Sequence, residues 1–149
     1  MNVIYDSSSI LLSPAQALIN PVNCSGTSGK GIPALFKRFY PFMFIEYQQL
    51  QKQGKLTPGS VHWHYVGPAG RCILLWAIQN DWKSPVLNAA LTIGLTHILT
   101  LQKQFHLSSI AFPKIESPKA GLTWDDHIKP LILNALEPTD LQVHLCENG

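Results

Sequence analysis

The chain has 149 residues, of which 46% are hydrophobic and 13% are charged. A natively disordered chain has the opposite balance and is excluded, and the length suffices for one domain with a buried core. With 11 basic and 9 acidic residues, the formal net charge is +2, which does not favour a broad electrostatic surface for nucleic acid or membranes.

Cysteine usage and the N-terminal residues indicate where such a protein works. Cys24, Cys72 and Cys146 lie far apart and have no metal-ligand spacing. No apolar run approaches the roughly 18 residues of a membrane span, and the first six residues do not resemble an export signal. We therefore expect a cytoplasmic protein with a single domain over residues 1–149, no membrane contact, no bound metal and no cofactor.

The first third of the chain predicts one strand and two helices. The apolar run 17–19 predicts a buried strand that ends at Asn20 and Pro21. After a Gly/Ser-rich stretch, the apolar residues between positions 32 and 39 have helical spacing. Pro41 is a suitable first residue for a second helix, which ends near Gly54.

The middle of the chain predicts two strands followed by a long helix. Residues 60–66 alternate as a half-buried strand does, and residues 72–77 are continuously apolar. Ser84 as the N-cap and Pro85 as the first helical residue predict where the helix begins. Its apolar stripe consists of Leu87, Leu91, Leu95, Ile98 and Leu99.

The last part predicts a strand over 109–112, a loop over 113–122, a helix and a final strand over 141–146. Thr123 is the N-cap of that helix, with Asp126 in the capping-box position, and the helix ends near Leu136. Strands that alternate with helices predict an α/β sandwich with a mostly parallel sheet and helices on both faces.

Two loops are candidates for a binding site, because ligands of open α/β sheets bind beyond the carboxyl ends of the strands. The first loop, residues 20–31, has glycines whose N–H groups can surround an anion, and Lys30 adds a cation. It is not a Walker loop, because Gly31 and Ile32 follow where a Ser or Thr would bind magnesium. The segment would either bind phosphate or form a flexible turn.

The second loop, residues 113–122, follows a later strand, so both loops should meet at one edge of the sheet. Within the first loop, Asn23 would either orient a ribose hydroxyl or cap the turn. Trp76 and Trp82 would form an aromatic wall for a base or ribose, or belong to the core. His62 and His64 share one face of a strand without a third ligand, which is more typical of a solvated face than of a metal site.

Several segments resemble the macrodomain family. They are residues 17–24 (ALINPVNC), 29–41 (GKGIPALFKRFYP), 54–59 (GKLTPG), 110–115 (IAFPKI) and 121–124 (GLTW). The most specific part is the Asn-x-x-Asn-Cys to Gly-Lys-Gly-Ile stretch. The nearest pattern is the DarG antitoxin branch, to which the human terminal ADP-ribose glycohydrolase is related, and the resemblance covers residues 9–146.

The resemblance implies a three-layer α/β/α domain with a mixed, mostly parallel sheet that binds ADP-ribose at the strand ends. In this branch the enzyme removes ADP-ribose from DNA bases or acidic side chains, and an antitoxin implies a toxin partner. Asn23 would contact the distal ribose as a catalytic residue. The implied ligand-binding residues are Asn20, Asn23, Gly29, Lys30, Gly31, Ile32, Ser117, Lys119, Ala120, Gly121 and Leu122.

The chain departs from the family pattern at several site positions. Gln79 stands where the branch has its catalytic lysine, and Ala120 where the human relative has its catalytic aspartate. Glu116 and Pro118 fall in the glycine-rich second phosphate loop, where proline removes an N–H group and the carboxylate adds negative charge. Ser9 stands where an acidic residue usually holds the adenine amino group.

Three functions remain open from the sequence. The first is recognition of ADP-ribose or a related nucleotide, with weak hydrolysis by a water molecule that a loop holds. The second is an interaction or regulatory module that has the fold without the chemistry. The third is a hydrolase of ADP-ribosylated DNA or protein with a relocated catalytic lysine, either Lys83 or Lys119.

Overall fold

The computed structural model describes residues 1–68 and 71–148, so the last residue of the predicted 1–149 domain lies outside it. The strands are β1 (Asn2–Asp6), β2 (Ala17–Asn23), β3 (Val61–Tyr65), β4 (Cys72–Gln79), β5 (Ser109–Pro113) and β6 (Gln142–Cys146). The helices are α1 (Ile32–Phe39), α2 (Pro41–Lys52), α3 (Asn88–Phe105) and α4 (Lys129–Leu136). No helix in the described ranges has the length and apolar character that a membrane crossing requires.

The six strands form one mixed sheet in the order β1-β6-β5-β2-β4-β3. Every neighbouring pair is parallel except β3–β4, which is antiparallel. The prediction of a mostly parallel sheet is therefore confirmed. Because the parallel strands run in one direction, the loops that follow β2, β4 and β5 all lie at the same edge of the sheet.

Helices cover both faces of the sheet and create two hydrophobic cores. The helices α1 and α2 pack on one face through Phe36, Met43 and Tyr47. The helices α3 and α4 cover the other face. Neighbouring residues of β2 divide between the two cores, as Leu18 and Ile19 do, because successive side chains of a strand point to opposite faces. The three-layer prediction is confirmed.

The strand β1 was not predicted from the sequence. It is an edge strand, paired in parallel with β6 alone, and its polar ends Asn2 and Asp6 leave only three apolar residues between them. Such a short run does not distinguish a strand from an irregular N-terminal segment. The neighbour β6, which is distant in sequence, supplies the hydrogen bonds that make it a strand.

The strand β2 is longer than predicted and runs through Pro21 to Asn23. Its pairing with β5 covers only Ala17 and Leu18, whereas its pairing with β4 continues to Asn23. The carboxyl half of β2 is therefore paired on one side, a setting in which a strand tolerates the missing N–H of proline. The extra residues bring Asn23 to the point where the first loop begins.

The predicted start of the long helix at Ser84 and Pro85 is wrong. The helix α3 begins at Asn88, and the segment before it is held by other partners. The N–H of Val86 donates to Ser117 Oγ (3.0 Å), and the N–H of Leu87 donates to the carbonyl of Ile78 (2.9 Å). These contacts anchor the segment to the second loop and to the end of β4, which a local capping signal could not reveal.

The other helix boundaries follow the sequence more closely. The predictions for α1 and α2 are confirmed, including Pro41 as the first residue of α2. Thr123 is an N-cap whose hydroxyl accepts from the N–H of Asp126 (3.2 Å). It caps a π-helical turn, Trp124–Ile128, that leads directly into α4, and α4 ends at Leu136 as predicted.

Candidate functional site

The candidate site is a cleft of about 290 Å³ at the carboxyl ends of β2, β4 and β5. Both predicted loops reach it, together with the segment between β4 and α3. The lining residues are Pro21, Val22, Asn23, Thr27, Gly29, Lys30, Ile32, Pro33, Ile78, Gln79, Trp82, Val86, Lys114, Ile115 and Glu116. The two loops therefore lie together at one edge of the sheet, as expected, but the second loop contributes only the part nearest β5.

Asn23 is the organising residue of the first loop. Its Nδ2 donates to the carbonyl of Thr27 (2.9 Å), and its Oδ1 accepts from the N–H of Ser25 (3.1 Å) and from Ser25 Oγ (2.9 Å). The hydroxyl of Tyr47 donates to both the carbonyl (2.6 Å) and Oδ1 (2.8 Å) of Asn23. Asn23 therefore caps the turn while its side chain lines the cleft. The contact with a ribose stays a prediction.

Tyr47 anchors this loop to α2 and is itself buried, with 2% of its surface exposed. Burial raises the pKa of the Tyr47 phenol well above its ordinary value of 10.0, although hydrogen bonds to the loop backbone act in the opposite direction. The hydroxyl therefore remains protonated and donating at neutral pH. This contact fastens the first loop to α2.

The later half of the first loop carries glycines against an aromatic wall. A Cβ built on Gly29 would lie 3.7 Å from the Trp82 ring, in ordinary van der Waals contact, so Gly29 faces the indole with room for one more carbon between them. Gly31 has a φ of 74° and is the N-cap of α1, a conformation that favours glycine. The helix N-terminus that follows, at Ile32 and Pro33, lines the cleft and contributes a partial positive charge.

Trp82 and Trp76 have different roles. Trp82 lines the cleft and is 54% exposed, whereas Trp76 is fully buried. The indole Nε1 of Trp76 donates to the carbonyl of Ala90 in α3 (3.1 Å). Trp76 therefore belongs to the core, whereas Trp82 lies in the cleft, and its contact with a base or ribose stays a prediction.

Gln79 occupies the end of β4 inside the cleft. Its Nε2 donates to the carbonyls of Asp81 (2.7 Å) and Ser84 (3.2 Å). The carboxylate of Asp81 in turn accepts from the N–H groups of Ser84 and Lys83, and hydrogen bonding from Ser84 and Lys83 lowers the pKa of Asp81. Gln79 thus holds the turn that presents Trp82, and its amide cannot take the role of an ionisable catalytic group.

Most of the second loop turns away from the cleft. Ser117 is buried and its Oγ accepts from the N–H of Val86 (3.0 Å). Ser117 also pairs with Leu122 in an antiparallel bridge around a 3₁₀ turn, Pro118–Ala120. Five predicted site residues lie outside the cleft lining for this reason: Ser117, Lys119, Ala120, Gly121 and Leu122.

The two lysines proposed as relocated catalytic groups contact each other instead. Lys119 Nζ donates to the carbonyl of Lys83 (2.6 Å), which ties the second loop to the turn before α3. Lys83 Nζ lies 5.2 Å from the centre of the Trp82 ring. Neither side chain lines the cleft.

Asn20 and Gly31 also lie outside the cleft lining. Asn20 is 1% exposed, and its Nδ2 lies 3.5 Å from Met43 Sδ beneath the sheet. Its Oδ1 is buried without a hydrogen-bond partner among the described residues. The predicted residues that the structure does bring together in the cleft are Asn23, Gly29, Lys30 and Ile32.

Lys114 and Glu116 are cleft residues that the sequence did not identify as ligand-binding. Both side chains lie just beyond β5, and Lys114 Nζ is 3.2 Å from Glu116 Oε1. The signal available in the sequence was their position directly after a predicted strand. Ligand binding by residues 117–122, which the resemblance implies, stays a prediction.

The histidines and cysteines of the described residues do not assemble a reactive site. No group of three potential metal ligands occurs in the ranges 1–68 and 71–148. His62 bonds to the carbonyl of Lys55, and His64 pairs with Glu46 (2.7 Å). Burial raises the pKa of the Cys24 thiol, which disfavours the nucleophilic thiolate.

The comparisons with known proteins agree on one family. The family model described as Macro domain matches residues 19–130. A curated Mycobacterium tuberculosis protein named DNA ADP-ribosyl glycohydrolase is 32% identical over 129 residues, which are 83% of this chain and 36% of that protein. The chain therefore spans little more than a third of that relative's length.

Two solved structures have the same architecture. The macrodomain of Thermus aquaticus DarG superposes with a TM-score of 0.88 at 27% identity, covering 97% of both chains. The macrodomain of Mycobacterium tuberculosis DarG also has a TM-score of 0.88, at 29% identity and covering 98% of both chains.

Proposed function

Because this chain belongs to the macro domain family and is similar to DarG macrodomains, we propose that its cleft binds ADP-ribose. The observation that carries the proposal is the meeting of three complementary features in one cleft. These are the glycine-containing first loop, the N-terminus of α1 and the exposed ring of Trp82. The DarG-like relatives in the comparison include proteins named DNA ADP-ribosyl glycohydrolase.

The chemistry of each feature suits one part of the ligand. Backbone N–H groups of the first loop and the partial positive charge at the start of α1 stabilise a diphosphate. Lys30, which lines the cleft beside them, adds a full positive charge. The face of Trp82 offers a flat apolar surface to a ribose or base.

The arrangement of ionisable groups favours binding over rapid hydrolysis. A hydrolase needs a group that activates water or stabilises the leaving group. The amide of Gln79 does neither, and the Glu116 carboxylate in the cleft is paired with Lys114. Lys83 and Lys119 are occupied outside the cleft. We therefore propose an ADP-ribose-binding macrodomain whose hydrolysis of ADP-ribosylated DNA is slow.

Calorimetric titration and thermal unfolding with ADP-ribose test the proposal. Binding raises the free energy of unfolding by about 2.7 kcal/mol when the ligand concentration is about 100 times its dissociation constant. This shows as a clear rise in melting temperature. Absence of both heat and a melting shift at millimolar ADP-ribose would remove the proposed function.

The variant Trp82→Ala identifies the cleft as the place of binding. We expect its affinity for ADP-ribose to fall about tenfold, because a base or sugar loses an aromatic surface worth about 1–3 kcal/mol. The matched control is Phe42→Ala, since Phe42 is 79% exposed and does not line the cleft. Equal affinities for the two variants would contradict the assignment of Trp82.

A DNA substrate is the second candidate, favoured by the names of the curated relatives. Release of ADP-ribose from an ADP-ribosylated thymidine oligonucleotide, followed by chromatography, measures it directly. We expect the rate of ADP-ribose release to be far lower than the rate at which the ligand binds and dissociates.

A toxin partner, which the resemblance implies, remains a prediction for the same protein and is testable by co-purification.

A further inference from the structure

The cleft contains a carboxylate where an anionic ligand is proposed to bind. Glu116 and Lys114 lie together at the end of β5, with 3.2 Å between Glu116 Oε1 and Lys114 Nζ. Among the described residues that line the cleft, Glu116 is the only acidic one, and Lys30 and Lys114 are the two lysines. Half of the positive charge that the cleft offers to a diphosphate is therefore paired within the protein.

The pair is open to a competing anion. The side chains of Lys114 and Glu116 are 45% and 42% exposed, and ion pairs with that exposure contribute little to stability. Neither side chain has another hydrogen bond among the described residues, although Lys114 lies near enough to Glu147 to help lower the pKa of that carboxyl. Replacing one partner of the pair should therefore leave the fold intact while it changes the charge that a ligand meets.

Other cations near the cleft do not compensate for the paired lysine. Lys119 Nζ donates to the carbonyl of Lys83, and Lys83 Nζ lies by the face of the Trp82 ring. Both lysines thus contact the turn between β4 and α3, and neither lines the cleft. Among the described residues that line the cleft, the charged side chains are Lys30, Lys114 and Glu116.

From this geometry we propose that Glu116 limits the affinity of the cleft for diphosphate ligands by occupying Lys114. A bound diphosphate must take Lys114 from the carboxylate and must also tolerate the negative charge of Glu116 nearby. The inference rests on the proposed ADP-ribose binding and names the residue that weakens it. Removing the Glu116 charge should therefore tighten binding rather than abolish it.

The decisive experiment compares Glu116→Gln with Glu46→Gln by calorimetric titration with ADP-ribose. Both substitutions remove one negative charge, but Glu46 pairs with His64 on α2 and does not line the cleft. At about 0.02 M salt, we expect Glu116→Gln to bind about three- to tenfold tighter than the unaltered protein. Glu46→Gln should bind as the unaltered protein does.

Salt dependence and the lysine partner provide two further readouts. Raising the salt to about 0.5 M should remove most of the gain in Glu116→Gln, because the charges are exposed and screened. Lys114→Met should weaken binding severalfold, and the double variant should fall between the two single variants. Melting temperatures without ligand show whether each variant is folded.

The outcomes separate this inference from the function on which it rests. If the unaltered protein binds ADP-ribose and Glu116→Gln binds no tighter than Glu46→Gln, the role of Glu116 is wrong and the function stands. A gain that persists at high salt would also overturn it, since reshaping of the cleft rather than charge would then be the cause. If neither the unaltered protein nor Glu116→Gln binds ADP-ribose, the proposed function itself fails.

Discussion

At the scale of single residues, the contact between Tyr47 and Asn23 decides the shape of the first loop. One hydroxyl from α2 donates to two oxygens of the residue at the end of β2. Asn23 then distributes its remaining hydrogen bonds to Ser25 and Thr27. Hydrogen bonds within the protein therefore define the shape of the loop.

The variant Tyr47→Phe tests this role. It removes a buried hydroxyl and leaves the Asn23 acceptors with fewer partners, so we expect the free energy of unfolding to fall by about 1–3 kcal/mol in urea titrations. Affinity for ADP-ribose should fall as well, because the loop loses its anchor. Tyr65→Phe is the control, since Tyr65 is 60% exposed, and a similar loss there would contradict the argument.

At the scale of secondary-structure elements, the packing of α3 on β4 depends on a glycine. A Cβ on Gly94 would lie 1.8 Å from Nε1 of Trp76, closer than two heavy atoms can approach. The same indole nitrogen donates to the carbonyl of Ala90 one turn earlier in α3. The helix α3 therefore packs directly against the Trp76 ring in the hydrophobic core on that face of the sheet.

We expect Gly94→Ala to destabilise the protein by about 2–3 kcal/mol, despite the better helix propensity of alanine, because the ring must move in a packed core. Chemical denaturation measures the change. Gly67→Ala, outside the helices, is the control, since a Cβ there meets no atom of the described residues within 4 Å. If both variants keep the stability of the unaltered protein, the close approach of α3 to Trp76 is not a constraint.

At the scale of the whole molecule, the two cores bury ionisable thiols. Cys72 is fully buried and Cys146 is 2% exposed. Burial raises the pKa of Cys72 to about 12 and that of Cys146 to about 11, from an ordinary value of 9.0. The folded protein therefore keeps thiol protons that the unfolded chain releases at lower pH.

Stability should consequently fall at alkaline pH. The pKa of each thiol is higher in the folded protein than in the unfolded chain. The contribution of each thiol to the free energy of unfolding is therefore fully present below about pH 9 and is lost as the pH rises toward 11–12. At about pH 10 we expect a loss of roughly 1 kcal/mol for each thiol, measured by urea unfolding at a series of pH values. The variant Cys72→Ala should show a shallower decline, and an unchanged decline would refute the assignment.

The sequence alone determined the elements whose signal is local. The boundaries of α1 and α2 followed from apolar spacing and from Pro41, and the alternation of strands with helices determined the layered architecture. The macrodomain resemblance added the location of the cleft at the strand ends. These features depend on residues close together in the chain, where periodicity and backbone geometry act directly.

Which side chains face the cleft depends on contacts between distant parts of the chain. Ser84 and Pro85 have a strong local capping signal, yet hydrogen bonds from Val86 and Leu87 to Ser117 and Ile78 delay α3 to Asn88. Lys119 is drawn to the carbonyl of Lys83, while Glu116 remains beside Lys114. Each outcome depends on a partner from another part of the chain, because hydrogen bonds and ion pairs select side-chain directions that sequence spacing does not encode.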